Sequence, residues 1–426
     1  MNQLIKNLNK LKGEVELPGD KSISHRALIF SAMSEGESEI RNLASGADIR
    51  STLNCLKQLG VKIRWKDNVL IVKGVGYKGF KTPVAPLDAG NSATTARLLA
   101  GLLAAQPFDS IITGDQSLLK RPMKRIIEPL RMMGAAISGT SSDTLPLEII
   151  PVSDLMPLEY RIPVASAQVK SALILAALHS DEESVLIETR PTRDHTERML
   201  SLNAEQNKNE KVIKISREKY PSTAGYKIPG DISSSAFLIV ASLINQGSEV
   251  RIKNISLNPS RIEFLNILKK MGGEIEIIPE GIESNEPYGD LIVKSGLSKN
   301  THIDVNVIPL IIDEIPVLSV AGIFAEGSFV LRGASELRVK ESDRIDALCS
   351  NFRILGLDVE QYEDGFEISG TIKNNEPVLD SFGDHRIAMA MAVLLSAVKQ
   401  GGVVKNFDCV GISNPDFLSQ LYSLAE

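Results

Sequence analysis

Residues 311–327 read I-I-D-E-I-P-V-L-S-V-A-G-I-F-A-E-G, an acidic pair, Asp313 and Glu314, set directly before an apolar run that exits on Gly327. The run is too short to span a membrane and too evenly apolar for a surface helix. It therefore predicts a buried helix whose polar N-terminus is its one wet end, where the helix dipole favours an acidic side chain. The same design recurs in segments beginning at Lys21 (KSISHRALIFSAMSEG), Gly90 (GNSATTARLLAGLLAAQ), Ser166 (SAQVKSALILAALHSD), Gly230 (GDISSSAFLIVASLINQG) and Gly383 (GDHRIAMAMAVLLSAVKQGG). With the one at Ile312 they make six copies at a period of roughly 70 residues, longer than solenoid repeats. Buried helices with polar starts imply one shared site.

Each copy continues into a strand-like run, such as residues 248–252 or 328–331, and then into an amphipathic second helix. Residues 48–60, 122–134, 260–272 and 342–356 each end on Leu or Met followed by Gly, the signature of a left-handed C-terminal cap. Alternating stretches then predict hairpins, 61–63 with 69–72, 274–278 with 291–293, and 357–361 with 366–369. The third copy degrades after Leu200 into N-A-E-Q-N-K-N-E-K, which reads as a shortened loop. The sixth ends on its second helix, so the otherwise unowned strand-like residues 2–17 are expected to complete it. Three copies per domain put an N-terminal domain at 20–229 and a C-terminal domain at 1–19 and 230–426, with Pro and Gly at both crossings.

A chain of 426 residues exceeds one ordinary core, consistent with two domains of about 200 residues. Its 53 acidic and 47 basic residues, a net charge of -6, argue against a nucleic-acid partner but leave room for local cationic pockets. Cys55, Cys349 and Cys409 lie far apart without C-x-x-C spacing, so neither a disulfide framework nor a zinc site is expected, and a reducing cytoplasm fits. No apolar run reaches about 18 residues and no signal-peptide pattern opens the chain, so no membrane span is expected.

Two motifs mislead. Gly74-Val-Gly76-Tyr-Lys-Gly79 matches the dinucleotide fingerprint, but the two prolines in F-K-T-P-V-A-P-L-D forbid the helix it needs. Gly19-Asp20-Lys21-Ser22 resembles the end of a P-loop with Asp20 where Gly must stand. His25, His195 and His385 lack metal-ligand spacing, and an Arg within two residues of each favours anion-site histidines over a metal set.

The helix starts concentrate cations: Lys21 and Arg26, Arg121, Arg193, Lys340 and Arg344, and Arg386. Helix N-termini attract phosphate and carboxylate through free N–H groups, and Arg adds bidentate recognition. Taken one at a time such residues are ordinary caps and surface charges; together they imply a small polyanionic substrate.

G-D-K-S-I-S-H-R, G-N-S-A-T-T-A-R, R-P-M, S-A-Q-V-K-S-A, R-D-H-T-E-R, I-D-E-I-P, R-V-K-E-S-D-R and G-D-H-R-I-A-M-A, in this order over nearly the whole chain, resemble the signature set of the 5-enolpyruvylshikimate-3-phosphate synthase family. The resemblance implies two inside-out α/β barrel domains of three repeated units each, with an interdomain active-site cleft. It implies transfer of the enolpyruvyl group of phosphoenolpyruvate to the 5-hydroxyl of shikimate 3-phosphate, by a cytoplasmic monomer with no cofactor or metal. Carried over by position, Lys21, Ser22, Arg26, Ser166, Gln168, Arg193, Asp313 and Lys340 resemble contacts to shikimate 3-phosphate. Lys21, Asn91, Ala93, Arg121, Gln168, Arg344, His385 and Arg386 resemble the phosphoenolpyruvate site. Asp313 resembles the base for the 5-hydroxyl, Glu341 and Lys340 the proton-handling pair, and Lys21 a further catalytic cation. Such chemistry needs a base, a reversible proton donor and cations that hold two anions together.

Two departures stand out: Ile412 occupies the position of a Lys that many members place on phosphoenolpyruvate, and Ala167 replaces a Ser beside Gln168, a pattern similar to class II members. The nearest alternative is UDP-N-acetylglucosamine enolpyruvyl transferase, which has Lys-Asn at the position of Lys21-Ser22 and usually a Cys in the loop matching residues 114–121, where this chain has none. A non-catalytic ligand-binding relative is the other; intact Asp313, Lys340 and Glu341 disfavour it.

Overall fold

In the computed structural model, which describes residues 1–207 and 210–426, all six apolar segments form helices that are buried almost all round, as a helix without a polar face must be. The chain divides into two compact units, Gly19–Ile228 with Ile282–Glu286, and Met1–Pro18 with Pro229–Gly281 and Pro287–Glu426. The first unit carries α1 (Lys21–Met33), α2 (Ala47–Gln58), α3 (Ala93–Leu103), α4 (Lys124–Met132), α5 (Ala167–Ala177) and α6 (His195–Met199). The second carries α7 (Ile232–Ile244), α8 (Glu263–Lys270), α9 (Ile308–Ile311), α10 (Ile315–Ile323), α11 (Arg344–Ile354), α12 (His385–Ser396) and α13 (Phe417–Ser423).

In the first unit α3 packs against both α1 and α5; in the second α7, α10 and α12 touch pairwise. Gly101 permits the α3–α5 approach, because a Cβ there would lie 2.1 Å from the Ala172 carbonyl oxygen. Each buried Leu, Ile or Phe on these helices contributes about 1.5–3 kcal/mol of transfer free energy, so the helix cores dominate stability. The second helices show one apolar face and, as the capping pattern requires, Gly60, Gly134, Gly272 and Gly356 all have positive φ.

Among the described residues the first unit holds three four-stranded sheets with a common plan. In each, the central first strand after the core helix (Glu35–Arg41, Ser110–Thr113 or Ser184–Glu188) pairs antiparallel with a hairpin and parallel with a short edge strand. The edge strand of the first sheet, Gly225–Lys227, comes from the end of the segment rather than from just before α1. The strand that does precede α1, Lys12–Glu16, instead pairs parallel with Glu249–Ser256, the strand after α7. This corrects the expectation that residues 2–17 all complete the sixth copy. Of the two strands in this stretch Gln3–Ile5 does so, antiparallel to Gly402–Lys405, and Leu11 adds an isolated bridge to Ala425.

The third copy is also corrected. Asn203–Asn207 is not loop but an edge strand antiparallel to Glu210–Ile215; residues 208 and 209 of the expected loop lie outside the described residues. An edge strand with every side chain exposed needs only backbone pairing, so its polar composition hid it. What shrank is the second helix, reduced to the five residues of α6. After Gly74-Val-Gly76 the chain turns without entering a helix.

No single helix among the described residues is long and apolar enough to cross a membrane; the pair Val305–Ile311 and Ile315–Ile323 passes on composition but is bent by 114°.

The first core closes at its far end on His179, 2% exposed. Its Nδ1 lies 2.9 Å from the Leu175 carbonyl and so carries the proton. Nε2 then faces the Tyr220 hydroxyl at 3.4 Å and the Gln106 amide at 3.5 Å, while Tyr77 stacks on the ring. Burial, aided by the Lys78 and Arg217 charges and opposed by the bond to Leu175, holds His179 down to about 4. The unfolded chain, titrating near 6.5, therefore binds more protons below that pH, and the stability present above it is lost as pH falls from about 6.5 to 4. From His179 alone the loss by pH 5 is about 2 kcal/mol. Urea midpoints at pH 7.5 and 5.0 check this: His179→Gln should narrow the gap between them, and an unchanged gap contradicts the assignment.

Candidate active site

Five of the six core helices begin with a side chain that accepts backbone N–H groups: Asp20 on α1, Ser92 on α3, Ser166 on α5, Asp231 on α7 and Asp384 on α12. This local chemistry gives each of these five helices a polar start. The exception is α10. Glu314 stands at its N-cap position without capping it, and Pro316 fills the first turn, where no N–H is missed. The fully buried Glu314 carboxylate instead accepts from the Ser233 hydroxyl, which also receives Arg261 Nη2 at 2.7 Å.

Around α10 the second unit gathers Asp313, Lys340, Glu341, Arg344 and Arg386. Arg344 is 1% exposed. Its Nε lies 2.7 Å from Asp384, Nη2 2.6 Å from Glu341 and Nη1 3.4 Å from Asp313. Burial works against its charge, but Asp384, Glu341 and Asp313 outweigh burial and raise its pKa. Lys340 Nζ is 4.0 Å from Asp313 Oδ1. Burial lowers the Lys340 pKa and Asp313 opposes the fall. Arg386 Nη1 donates to the Asp313 carbonyl at 2.8 Å, with Nη2 3.8 Å from the carboxylate. One partly exposed carboxylate thus faces three cations. His385 is buried as the first residue of α12, between Asp384 and Arg386.

In the first unit the helix starts supply a second set. Lys21 Nζ is 2.9 Å from Asp48. Arg26, 3% exposed, gives Nε to Thr196 and Nη2 to Ser171, both at 2.7 Å, and Nη1 to the Ser22 carbonyl at 2.9 Å. Burial pulls Arg26 down to about 10, with Arg193 adding to the fall and Glu197, Asp20 and Glu286 opposing it. It remains a cation near neutral pH. Arg121 Nη2 reaches Asn91 Oδ1 at 2.9 Å, and Asn91 Nδ2 reaches Asp115 at 2.7 Å. Gln168 accepts from Arg97 and donates to Thr94 at 2.8 Å. Ala93 is the first residue of α3, directly after its cap, and is 7% exposed. Ile412 ends the 3-10 turn Phe407–Ile412, half-buried.

Two histidines correct the expectation of anion sites. His25 is fully buried, bonds the Thr52 hydroxyl at 2.8 Å, and is held neutral by burial and by Lys21 and Arg26. His195 is fully buried with Nδ1 2.7 Å from Glu286, so the anion it meets is the protein's own. Asp48, Arg97, Ser171, Thr196, Asp384 and Arg261 escaped the sequence reading. A signal existed for Arg97 and for Lys170: each is a charge inside an apolar helix, and a buried charge demands a partner. Lys170 finds Glu197 at 2.7 Å and Glu188 at 2.9 Å. Among the described residues no group of three or more His, Cys, Asp or Glu could hold a metal ion.

A family model described as EPSP synthase (3-phosphoshikimate 1-carboxyvinyltransferase) matches residues 5–421. A 3-phosphoshikimate 1-carboxyvinyltransferase of Syntrophomonas wolfei is 47% identical over 100% of this chain and 100% of its own, and one of Bacillus velezensis is 40% identical over 98% of each. The solved EPSP synthase of Acinetobacter baumannii superposes with a TM-score of 0.85 at 37% identity, over 100% of this chain and 98% of that one. The enolpyruvyl transferase NikO of Streptomyces tendae, at 15% identity and a TM-score of 0.74 over 99% and 97% of the two chains, shares the fold.

Proposed function

We propose, for a chain that belongs to the EPSP synthase family, that the two helix-start clusters are the working parts of one reaction. That reaction is the transfer of the enolpyruvyl group of phosphoenolpyruvate to the 5-hydroxyl of shikimate 3-phosphate, with release of phosphate. The observation that carries the assignment of roles is the Asp313 carboxylate facing Lys340, Arg344 and Arg386. Asp313 takes the proton of the 5-hydroxyl as its oxygen bonds to the enol carbon. Glu341, with Lys340 beside it, protonates the methylene carbon and later takes a proton back as the carbon–oxygen bond to phosphate breaks, restoring the double bond. Lys21, Arg121, Arg344 and Arg386 hold phosphoenolpyruvate, with Asn91, Ala93, Gln168 and His385 lining its place. Ser22, Arg26, Ser166, Gln168 and Arg193 hold shikimate 3-phosphate. Cations fixed in advance by buried carboxylates stabilise the developing charge without reorganising.

The same reading carries the finer architecture: two inside-out barrels of three units, residues 20–229 and 1–19 with 230–426. It also makes the enzyme a cytoplasmic monomer acting on small molecules rather than on nucleic acid or membrane, without cofactor or metal. Phosphate release from phosphoenolpyruvate, with shikimate 3-phosphate or UDP-N-acetylglucosamine as acceptor, tests the assignment. Turnover with the second and not the first overturns it.

Ala93 gives a further expectation. By resemblance glyphosate occupies the phosphoenolpyruvate place and reaches farther toward this position, where sensitive members carry Gly. The Ala93 methyl should clash with it by about 1–3 kcal/mol, so Ala93→Gly is expected to tighten glyphosate inhibition roughly 5- to 150-fold at matched phosphoenolpyruvate saturation. Equal inhibition of the two enzymes contradicts the steric account.

A further inference from the structure

The helix α6 is only five residues long, too short to hold its shape by its own backbone bonds. Yet its second residue, Thr196, accepts Arg26 Nε at 2.7 Å and shares a hydrogen bond of 2.7 Å with Ser171, so Arg26 is aimed by a helix that must itself be held from outside. The residues on either side of Thr196 supply the hold. Glu197 is gripped by Lys170 at 2.7 Å and Lys211 at 3.3 Å. His195 meets Glu286, with both side chains 0% exposed and 2.7 Å between Nδ1 and Oε1. Glu286 comes from a distant part of the chain, the tip residues Ile282–Glu286 that group with the first unit. A second bond at that tip, Asn285 Nδ2 to the Ser201 hydroxyl at 3.0 Å, pins it just past α6.

The geometry points to Glu286 as a positioning residue for the shikimate 3-phosphate site: through His195 it fixes the start of α6, and with it the Thr196 hydroxyl that orients Arg26. The inference rests on the assignment of Arg26 to that substrate. Glu286 is 0% exposed and so acts through its neighbours; its carboxylate holds the Nδ1 edge of the His195 ring, and a buried ring that loses that bond turns or takes in water. Either response shifts the first turn of α6. A shift of about 1 Å in a binding group can cost about 10²-fold, and it falls on the substrate that Arg26 holds.

The test is steady-state kinetics of Glu286→Ala and Glu286→Gln, with direct titration of shikimate 3-phosphate in the absence of phosphoenolpyruvate. Glu286→Ala is expected to raise the KM and Kd for shikimate 3-phosphate roughly 10- to 100-fold, while kcat and the KM for phosphoenolpyruvate stay within about threefold. Glu286→Gln, which keeps an oxygen for Nδ1, should recover most of the loss. Should Glu286→Ala fail to fold, Glu286→Gln carries the test through a smaller selective rise in the same two constants. An unchanged Kd, or a loss spread equally over both substrates that Gln does not rescue, overturns the inference. Arg26→Met separates it from the assignment beneath: if that variant binds shikimate 3-phosphate normally, the role of Arg26 falls, and any effect of Glu286 must take another route. If Arg26→Met loses binding and neither Glu286 variant does, only the role of Glu286 falls.

Discussion

Asp313→Asn is expected to lower kcat by about 10²–10⁴-fold while the Kd for shikimate 3-phosphate changes little, because on the proposed assignment it removes the base while the amide keeps its shape. The surroundings sharpen the expectation. Arg344 Nη1 lies 3.4 Å from the carboxylate, Arg386 Nη2 3.8 Å and Lys340 Nζ 4.0 Å. In the proposed reaction the carboxylate takes the proton of the 5-hydroxyl among these three cations, and Asn offers no such site. Arg386 also binds the Asp313 backbone carbonyl at 2.8 Å, a bond the substitution leaves in place, so the backbone should stay where it is. Single-turnover rates with both substrates saturating measure the chemical step. A rate within threefold of the wild type would remove Asp313 from the role of base.

The second large effect is on stability. Lys170 is 0% exposed and balances two carboxylates, Glu188 and Glu197, each 4% exposed. Burial opposes its charge, but the pair of carboxylates raises its pKa; Glu197 is correspondingly lowered by Lys170 and Lys211 against burial. Lys170→Met is expected to destabilise the protein by about 3–5 kcal/mol, because it strands buried negative charge. For a unit of this size that is a fall in Tm of roughly 10 °C. Replacing all three, Lys170→Met with Glu188→Gln and Glu197→Gln, should recover part of the loss, since neutral groups need no counter-charge. The acid dependence carries a sign as well. A depressed Glu197 stabilises above its unfolded pKa and loses that contribution as pH falls through the depressed value. In Lys170→Met the stranded carboxylates can take up protons, so the gap to the wild type should narrow toward pH 5. A Tm within 2 °C of the wild type at pH 7.5 would show that the triad contributes nothing net.

Much of the candidate site was legible because its charged and capping groups stand at helix starts. Asp20, Ser92, Ser166, Asp231 and Asp384 cap helices that the apolar runs already announced, and the cations next to them stand in the same short strings. Where the reading failed, pairing across the chain decided the outcome. The polar run after Leu200 looked like loop because nothing in it needs burial, yet Asn203–Asn207 pairs with Glu210–Ile215 through backbone groups that every residue carries. Lys12–Glu16 reads with its neighbours as part of the sixth copy, yet it pairs with Glu249–Ser256.

The amino-acid sequence by itself determined the family, the reaction, the six buried helices and the list of charged groups at their starts. The helices and their charged starts follow from residue type and spacing over a few turns, where apolar periodicity and capping act; the family and the reaction follow from the resemblance of the ordered motifs. Only the tertiary structure decided which charge answers which. Arg344 meets Asp384 and Glu341, Lys21 meets Asp48, Lys170 meets Glu188 and Glu197, and Glu286 reaches His195 across 91 positions. A buried ion needs a partner within about 4 Å, but sequence spacing says nothing of which distant carboxylate folding will bring there. That choice is made by the packing of the helices and the register of the sheets.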